Sequence, residues 1–282
     1  MARKCSSNIH LGRLFGGGNI SSLRFVLIFL LLLTGLLNAK IAIYGDTRTN
    51  DDVHRQIVNA ITAHEPHIAF HTGDLGTNGL SQEEYDNFFR ISEPLIEYCA
   101  IHPAKGNHER DAALFLRNFP SIGARTYYSV SYDKMLFILL DSTIDINPGS
   151  IQYSWLQKEL AENQHLPAII ILHHPIFSSG AHGDALGLGL FLPTLFAKHN
   201  VRAVFNGHDH NYERSKHNGI TYVSTGGGGA PLRDARHDNP HSIVFRKEYH
   251  YCIGKRDEDI LSVDVYAPTG EVLDSFLIHL RG

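Results

Sequence analysis

Short apolar runs alternate with amphipathic stretches from residue 41 onward. The runs are rich in Ile, Val, Leu and Phe, and such near-continuous runs are typical of strands that are buried on both faces of a sheet. We therefore predict five buried strands, at IAIY 41–44, HIAFH 67–71, MLFILL 135–140, AIIIL 168–172 and VRAVF 201–205.

The stretches between these runs carry apolar residues at helical spacing. This period of about 3.6 residues predicts amphipathic helices on the faces of the sheet. The predicted helices lie at 51–64, 82–98, 110–119, 154–164 and 190–199. Alternation of strands and helices predicts an α/β fold.

Beyond Gly219 the helical period fades. The segments 220–229, 242–254 and 259–280 are typical of strands and turns, with a hairpin turn at 268–270. A second hairpin is predicted to turn at 133–134. We therefore expect antiparallel strands to complete the sheet.

The first 39 residues have a composition unlike the rest. They contain four cations and no acid, and an apolar run of 13 residues occupies positions 25–37. A membrane-spanning helix needs about 20 residues, so the pattern is typical of a secretory signal peptide cleaved after Ala39. If it is not cleaved, the same segment is a membrane anchor. We expect an exported protein, periplasmic or secreted, with one domain at 40–282.

The charge and the cysteine content limit which binding partners and which metal sites are expected. The net charge is −4, and removal of the four leader cations gives −4 − 4 = −8. This balance disfavours nucleic acid as a partner, and a membrane is expected only if the leader is retained. Cys99 and Cys252 could form a disulfide or remain buried thiols. Their separation excludes a clustered-cysteine zinc site.

Side chains able to bind metal follow five of the segments. In open α/β sheets the crevice lies outside the carboxyl ends of the strands, so these tips can converge on one place. Each motif alone is weak, because Gly-Asp is usually a turn. The motifs are Gly45-Asp46, Gly73-Asp74, Gly106-Asn107-His108-Glu109, His173-His174 and Gly207-His208-Asp209-His210.

Together the tips offer oxygen and imidazole donors and no thiolate. This mixture suits zinc, manganese or iron and does not distinguish among them. A carboxylate can bridge two cations, and two metals about 3.5 to 4 Å apart can support an in-line displacement at phosphorus. The sequence therefore predicts hydrolysis of phosphoesters at a binuclear centre.

At these motifs the chain resembles the calcineurin-like metallophosphoesterases and, within them, the purple acid phosphatases and their bacterial relatives. The resemblance runs from about Ile41 to Gly229. It implies a four-layer αββα sandwich with the metals at the strand tips. It also implies six metal ligands: Asp74 as the bridge, Asn107, His173 and His208 at one site, and Asp46 and His210 at the other.

The same resemblance implies two catalytic histidines and leaves one neighbour without a role. His108 would protonate the leaving oxygen or hold the phosphate, and His182 matches a second such histidine of the acid phosphatases. His174 falls where the family has no metal contact.

Arg48 departs from the family pattern. Many members have a metal-binding histidine two positions after the first aspartate, and purple acid phosphatases instead use a tyrosine three positions after the second. This chain has Arg48 and Thr77 there. A guanidinium cannot ligate a metal. We therefore expect two metals with one bound more weakly, and no tyrosinate absorption when iron is bound.

Several roles remain open for Arg48. The metal beside it could be held loosely, with water completing the site. Arg48 could also supply part of that metal's charge, or grip a substrate phosphate as a catalytic residue. The structural alternative is an ion pair with Asp51 or Asp52.

The function expected is an exported phosphomonoesterase of the acid phosphatase type. In it a metal-bound hydroxide attacks phosphorus and His108 or His182 assists departure of the alcohol. The expected substrate is a small phosphorylated molecule, and the cofactors are two ions of iron, zinc or manganese. The alternatives are a phosphodiesterase or nucleotidase, and a catalytically weak metal-dependent binding protein.

Overall fold

A computed structural model describes residues 39–185 and 187–281. The predicted signal peptide lies outside the described residues, apart from its last residue, Ala39. Within the described part of the chain, no helix combines the length and the apolar character needed to cross a membrane.

Thirteen strands form two sheets. The strands are β1 (Lys40–Tyr44), β2 (Ile68–His71), β3 (Ile101–Pro103), β4 (Tyr128–Tyr132), β5 (Met135–Leu139), β6 (Ala168–Ile171), β7 (Val201–Asn206), β8 (Tyr212–His217), β9 (Ile220–Thr225), β10 (Ser242–Arg246), β11 (Tyr251–Asp257), β12 (Ile260–Tyr266) and β13 (Val272–His279). The first sheet has the order β13-β12-β11-β1-β2-β3, and the second has the order β10-β8-β9-β7-β6-β5-β4.

Each sheet has a parallel part and an antiparallel part. In the first sheet β1 pairs in parallel with β2, and β2 with β3, while β11, β12 and β13 add antiparallel strands. In the second sheet β5, β6, β7 and β9 are parallel neighbours. The parallel strands place their carboxyl ends at one edge of each sheet, which is where the motifs lie.

The described residues contain five α-helices. They are α1 (Asp51–Ala63), α2 (Gln82–Ile96), α3 (Ala112–Asn118), α4 (Ile151–Glu162) and α5 (Leu188–Lys198). Of these, α3 packs against the core between the sheets and the other four cover the outer faces. Helices α1 and α2 pack on the outer face of the first sheet, and α4 and α5 pack on that of the second. Side-chain caps fix three helix starts, at Asn50, Asp111 and Ser150.

The largest apolar core lies between the two sheets. At its centre Phe70 of β2 stacks on Phe137 of β5, with ring centroids 4.3 Å apart. With helices outside both sheets, the architecture is the four-layer αββα sandwich that the resemblance implied. Cys252 belongs to this inner core, and Cys99 belongs to the apolar cluster between the first sheet and its helices. Both cysteines are free thiols.

The predicted hairpin at Asp133-Lys134 is present between β4 and β5, and both turn residues have positive φ (44° and 56°). Strand β8 was not predicted. Its sequence, YERSKH, has no apolar run, because Glu213 is buried against polar partners and Arg214 pairs with Asp274 at 2.6 Å. Strand β8 is therefore stabilised by polar contacts, and its sequence lacks the apolar run that predicts a buried strand.

Candidate metal centre

The six predicted metal ligands lie at the strand tips and meet at one edge of the sandwich. Asp46 follows β1, Asp74 follows β2, and Asn107 follows β3, all in the first sheet. His173 follows β6, while His208 and His210 follow β7, in the second sheet. Ligands from both sheets therefore face one another across the end of the inner core.

Four of these residues form a tight group, here called the four-ligand cluster: Asp74, Asn107, His173 and His208. Its centre is His173 Nε2. That atom lies 2.9 Å from Asn107 Oδ1, 3.2 Å from His208 Nδ1 and 3.3 Å from Asp74 Oδ1. His208 Nδ1 is also 3.0 Å from Asn107 Oδ1.

His173 Nε2 carries no proton of its own. His173 Nδ1 donates to the Thr72 carbonyl oxygen at 3.0 Å, so Nε2 of the neutral ring carries a lone pair. Burial, followed by the charge of His174, lowers the pKa of His173 well below its usual value and keeps the ring neutral. A cation between them would stabilise a lone pair that faces an amide oxygen and a carboxylate oxygen.

The donor set and its spacing fit such a cation. Ligand atoms around a metal with bonds of about 2.0–2.2 Å lie roughly 2.9–3.5 Å from one another. The separations of 2.9 to 3.3 Å around His173 Nε2 fall in this range. Oxygen and imidazole donors suit zinc, manganese or iron. The four-ligand cluster could therefore hold one of these ions.

The two remaining ligands, Asp46 and His210, form a second group with Arg48 and with Asp74, here called the Arg48 cluster. His210 Nδ1 donates to the Pro231 carbonyl oxygen at 2.8 Å, so its Nε2 carries the lone pair. Arg48 Nη2 lies 3.4 Å from that atom and could donate to it, and Arg48 Nε donates to Asp74 Oδ2 at 3.2 Å. His210 Nε2 is 3.6 Å from Asp46 Oδ1.

Arg48 therefore pairs with Asp74 and not with Asp51 or Asp52. Asp52 instead pairs with Arg55 at 2.9 Å, and Asp51 accepts hydrogen bonds from Asn87 at 3.2 Å. The Arg48 side chain is 12% exposed. Its guanidinium lies beside Asp74 Oδ2 and His210 Nε2, two atoms of the predicted metal ligands.

Two carboxylates of the centre are buried together. Asp46 is 0% exposed and Asp74 is 1% exposed. Burial, and next the charge of Asp74, raises the pKa of Asp46 well above its usual value, while hydrogen bonding from His208 and the charge of Arg48 oppose the shift. Positive charge near Asp46 therefore favours its ionised form.

Three ligands have a left-handed backbone. The φ angles of Asp46, Asp74 and His208 are 58°, 60° and 70°. This conformation costs a non-glycine residue about 1–2 kcal/mol, and such residues cluster at functional sites. The left-handed backbone turns each side chain from the end of its strand toward the centre.

Two glycines allow the tips to approach closely. A Cβ on Gly106 would lie 2.3 Å from Asp74 Oδ1, and a Cβ on Gly207 would lie 2.2 Å from Asp46 Oδ2. Any side chain at these positions would displace a ligand carboxylate. The glycines before Asn107 and His208 are therefore required by the aspartates of neighbouring tips.

Glu109 joins two tips from the inside. Its buried carboxylate accepts hydrogen bonds from the backbone N–H groups of Asp74, Leu75 and Gly106, at 2.9, 2.9 and 2.8 Å. Burial and the charge of Asp74 raise its pKa to about 7 against these three donors. Glu109 thus fixes the Asp74 loop to the Asn107 loop.

The two predicted catalytic histidines lie on different sides of the centre. His108 donates from Nδ1 to the Thr77 carbonyl oxygen and has Nε2 at 3.7 Å from Asp74 Oδ2. The His182 ring stacks on His208 with centroids 4.1 Å apart. Asp209 Oδ1 accepts from His182 Nδ1 at 3.0 Å.

Arg233 was not predicted as a site residue. Its Nη1 lies 2.6 Å from His182 Nε2, and its backbone N–H donates to the His210 carbonyl oxygen at 3.0 Å. Arg233 comes from an irregular segment with no motif of its own. No local sequence pattern could have indicated its place in the site.

A cavity of about 450 Å³ opens beside Arg48. It is lined by residues that include Thr47, Thr77, Asn87 and Phe88. His174 lies on another side of the centre, where its Nδ1 is 2.9 Å from Ser142 Oγ. Its ring, with those of His173 and His208, forms a further histidine group whose ligand atoms all lie within 4.8 Å of one another.

Sequence comparison agrees with this geometry. The family model for calcineurin-like phosphoesterases matches residues 39–212, which is more than half of the chain. The chain belongs to the calcineurin-like phosphoesterase family, a class of hydrolases.

Individual relatives cover different shares of their own length. Probable purple acid phosphatase 20 of Arabidopsis thaliana is 26% identical over 241 residues, which are 74% of this chain and 56% of that protein. A nucleotide pyrophosphatase/phosphodiesterase of Hordeum vulgare is 25% identical over 264 residues, 75% of this chain and 72% of that protein. The solved purple acid phosphatase PPD1 from yellow lupin (Lupinus luteus) seeds has the same fold, with a TM-score of 0.74 and 21% identity, covering 86% of this chain and 53% of that one. The chain spans about half the length of these acid phosphatases.

Replacement of Glu109 tests its joining role. We expect Glu109→Ala to lower the free energy of unfolding by about 3 kcal/mol or more, because three buried N–H groups lose their acceptor at about 1–3 kcal/mol each. It should also weaken metal binding at least about 10-fold, because residues that hold the metal ligands in position contribute to metal affinity. Urea unfolding in chelator and metal titration measure the two effects.

The control is Glu83→Ala, on the exposed side of α2, which should change stability by less than about 0.5 kcal/mol. Equal stability of the two alanine variants would contradict the role of Glu109.

Proposed function

We propose that the chain is a metal-dependent phosphoester hydrolase that acts on monoesters of small alcohols. The observation that carries this proposal is the set of lone-pair atoms within 3.3 Å of His173 Nε2, which a cation would stabilise. A bound zinc, manganese or iron ion would supply Lewis acidity and lower the pKa of a coordinated water.

Positive side chains around the centre suit a phosphate dianion. Arg48 lies on one side of Asp74, and Arg233 lies beside His182 on the other. Arginine is suited to phosphate oxygens because its planar guanidinium can donate two parallel hydrogen bonds. The cavity of about 450 Å³ beside Arg48 has room for the alcohol portion of a small substrate.

His108 is the proposed proton donor to the leaving oxygen. Its Nδ1 is engaged with a backbone carbonyl, which leaves Nε2 toward the centre, near the negative charge of Asp74. His182 is less suited, because its Nε2 lies 2.6 Å from the Arg233 guanidinium and faces a positive charge. We assign His182 to phosphate binding together with Arg233.

Two alternatives have specific support. The barley relative is named as a nucleotide pyrophosphatase/phosphodiesterase, which favours a diester substrate. The guanidinium in the Arg48 cluster favours a weakly catalytic, metal-dependent binding protein. The ratio of the hydrolysis rates of an aryl phosphate and a bis-aryl phosphate tests the diester alternative. The following experiment tests the binding-protein alternative.

Hydrolysis of an aryl phosphate tests the proposal directly. We expect activity after addition of manganese, zinc or iron, loss of activity in chelator, and a decrease of more than about 100-fold in Asp74→Ala, which removes a central ligand. The control is Asp86→Ala, an exposed carboxylate on α2, which should retain activity. Absence of turnover with every metal across pH 4 to 9, roughly the range that carboxylates and histidines titrate in, would favour the binding protein.

Leaving groups of different basicity test the proton donor. Loss of a general acid costs about 10²–10⁴-fold, and the loss is larger for an alkyl alcohol than for nitrophenol, which departs without a proton. We therefore expect His108→Asn to slow an alkyl phosphate far more than nitrophenyl phosphate, and His182→Asn to slow both alike. The reverse pattern in kcat would assign the proton to His182.

We also propose that the chain is exported, with residues 1–39 as the leader and 40–282 as the catalytic domain. The basic start and the apolar run of 13 residues support this. Sequencing the N-terminus of protein recovered from secreting cells should give Lys40 as the first residue. An intact Met1 on membrane-associated protein would indicate a retained anchor instead.

A further inference from the structure

The two halves of the metal centre differ in how their lone pairs are stabilised. In the four-ligand cluster, the lone pair of His173 Nε2 faces Asn107 Oδ1 at 2.9 Å and Asp74 Oδ1 at 3.3 Å. In the Arg48 cluster, the lone pairs that face the guanidinium have an N–H donor within reach. Arg48 Nε donates to Asp74 Oδ2, and Arg48 Nη2 lies within reach of His210 Nε2.

The position of the guanidinium is well fixed. Arg48 is 12% exposed, and its two partners belong to different sheets, since Asp74 follows β2 and His210 follows β7. A guanidinium stays protonated under all ordinary conditions and presents its donors in a rigid fork. It therefore places a permanent positive charge where the tips of the two sheets meet.

The geometry points to a mononuclear centre. We propose that Arg48 takes the place of the second metal ion, so that the chain binds one ion, in the four-ligand cluster, and its own guanidinium supplies the second positive charge. This inference deepens the proposed function and rests on it for the identity of the metal ligands. It replaces the sequence-based expectation of two ions with one bound more weakly.

Two physical arguments support one ion over two. Asp74 Oδ2 already accepts from Arg48, so a second ion would have to displace a charged hydrogen bond from a buried carboxylate. The ion would also lie next to a guanidinium, and charges of the same sign repel strongly where burial limits screening. After such displacement only Asp46, Asp74 and His210 would remain as protein ligands.

The charge balance is also met by one ion. Asp46 and Asp74 are the two carboxylates that would face the ion, and the Glu109 carboxylate lies behind Asp74; all three are buried. One divalent cation and one guanidinium together provide three positive charges, which match these three carboxylates without a second ion.

Manganese stoichiometry tests this inference without any activity measurement. Purified full-length protein is stripped with a chelator and dialysed against Mn²⁺, and bound metal is measured by elemental analysis and electron paramagnetic resonance. We expect one equivalent with the resolved hyperfine spectrum of an isolated ion. Two equivalents with an exchange-coupled spectrum in the unmodified protein would overturn the inference.

Arg48→His is the decisive variant, because it removes the charge and supplies an imidazole at the same position. We expect it to bind two equivalents of Mn²⁺ and to show exchange coupling. The matched control is Arg55→His, the same substitution at an exposed position of α1, which should still bind one. Should Arg48→His fail to fold, Arg48→Gln serves instead, with a second equivalent bound at least 10-fold more weakly than the first.

The outcomes separate this inference from the proposed function. One equivalent without hydrolysis leaves the mononuclear centre standing and refutes the hydrolase. Two coupled equivalents with hydrolysis do the reverse. Absence of bound metal in the unmodified protein refutes both.

Discussion

Two carboxylates buried side by side are the constraint on which this centre depends. Asp46 and Asp74 are almost fully enclosed, and burial of one charged group beside another of the same sign is costly unless positive charge lies near. The backbone N–H groups of His208 and His108 donate to Asp46 and Asp74, respectively, and supply part of this compensation. The rest must come from a guanidinium or a metal ion.

The scaffold holds these charges in place by connecting the tips to one another. Glu109 ties the Asp74 and Asn107 loops of the first sheet together through three backbone N–H groups. On the other side, the glycine-rich loop after β9 runs along the tip of β1, where Gly228 donates to the Gly45 carbonyl oxygen and Ala230 to that of Asp46, both at 2.8 Å. The ligands are therefore positioned by backbone hydrogen bonds that do not depend on the metal.

Much of this arrangement could be predicted from the sequence, because it depends on local patterns. The apolar runs identified β1, β2, β5, β6 and β7, and ligand-type residues directly after strands identified the edge where Asp74 and His173 meet. Parallel strands bring their carboxyl ends to one edge within each sheet. That the tips of two different sheets meet was implied only by the family resemblance, since the apolar pattern predicted a single sheet.

The parts that could not be predicted depend on contacts between distant segments. The partner of Arg48 is Asp74, 26 positions away, although Asp51 and Asp52 lie much closer along the chain. Arg233 reaches His182 across 51 positions from a loop without periodicity. Strand β8 lacks an apolar run, since tertiary polar partners stabilise it. No local pattern carries information of this kind.

The asymmetry between the two clusters limits what each side of the centre can do. A guanidinium donates hydrogen bonds but has no vacant coordination position, so it can orient a phosphate oxygen and cannot activate water. A cation in the four-ligand cluster can do both. In the proposed mononuclear centre, activation of the nucleophile would therefore be confined to the side of His173 and His208, while Arg48 would serve phosphate binding. Since the arginine charge does not depend on metal supply, that binding role would persist when the ion is lost.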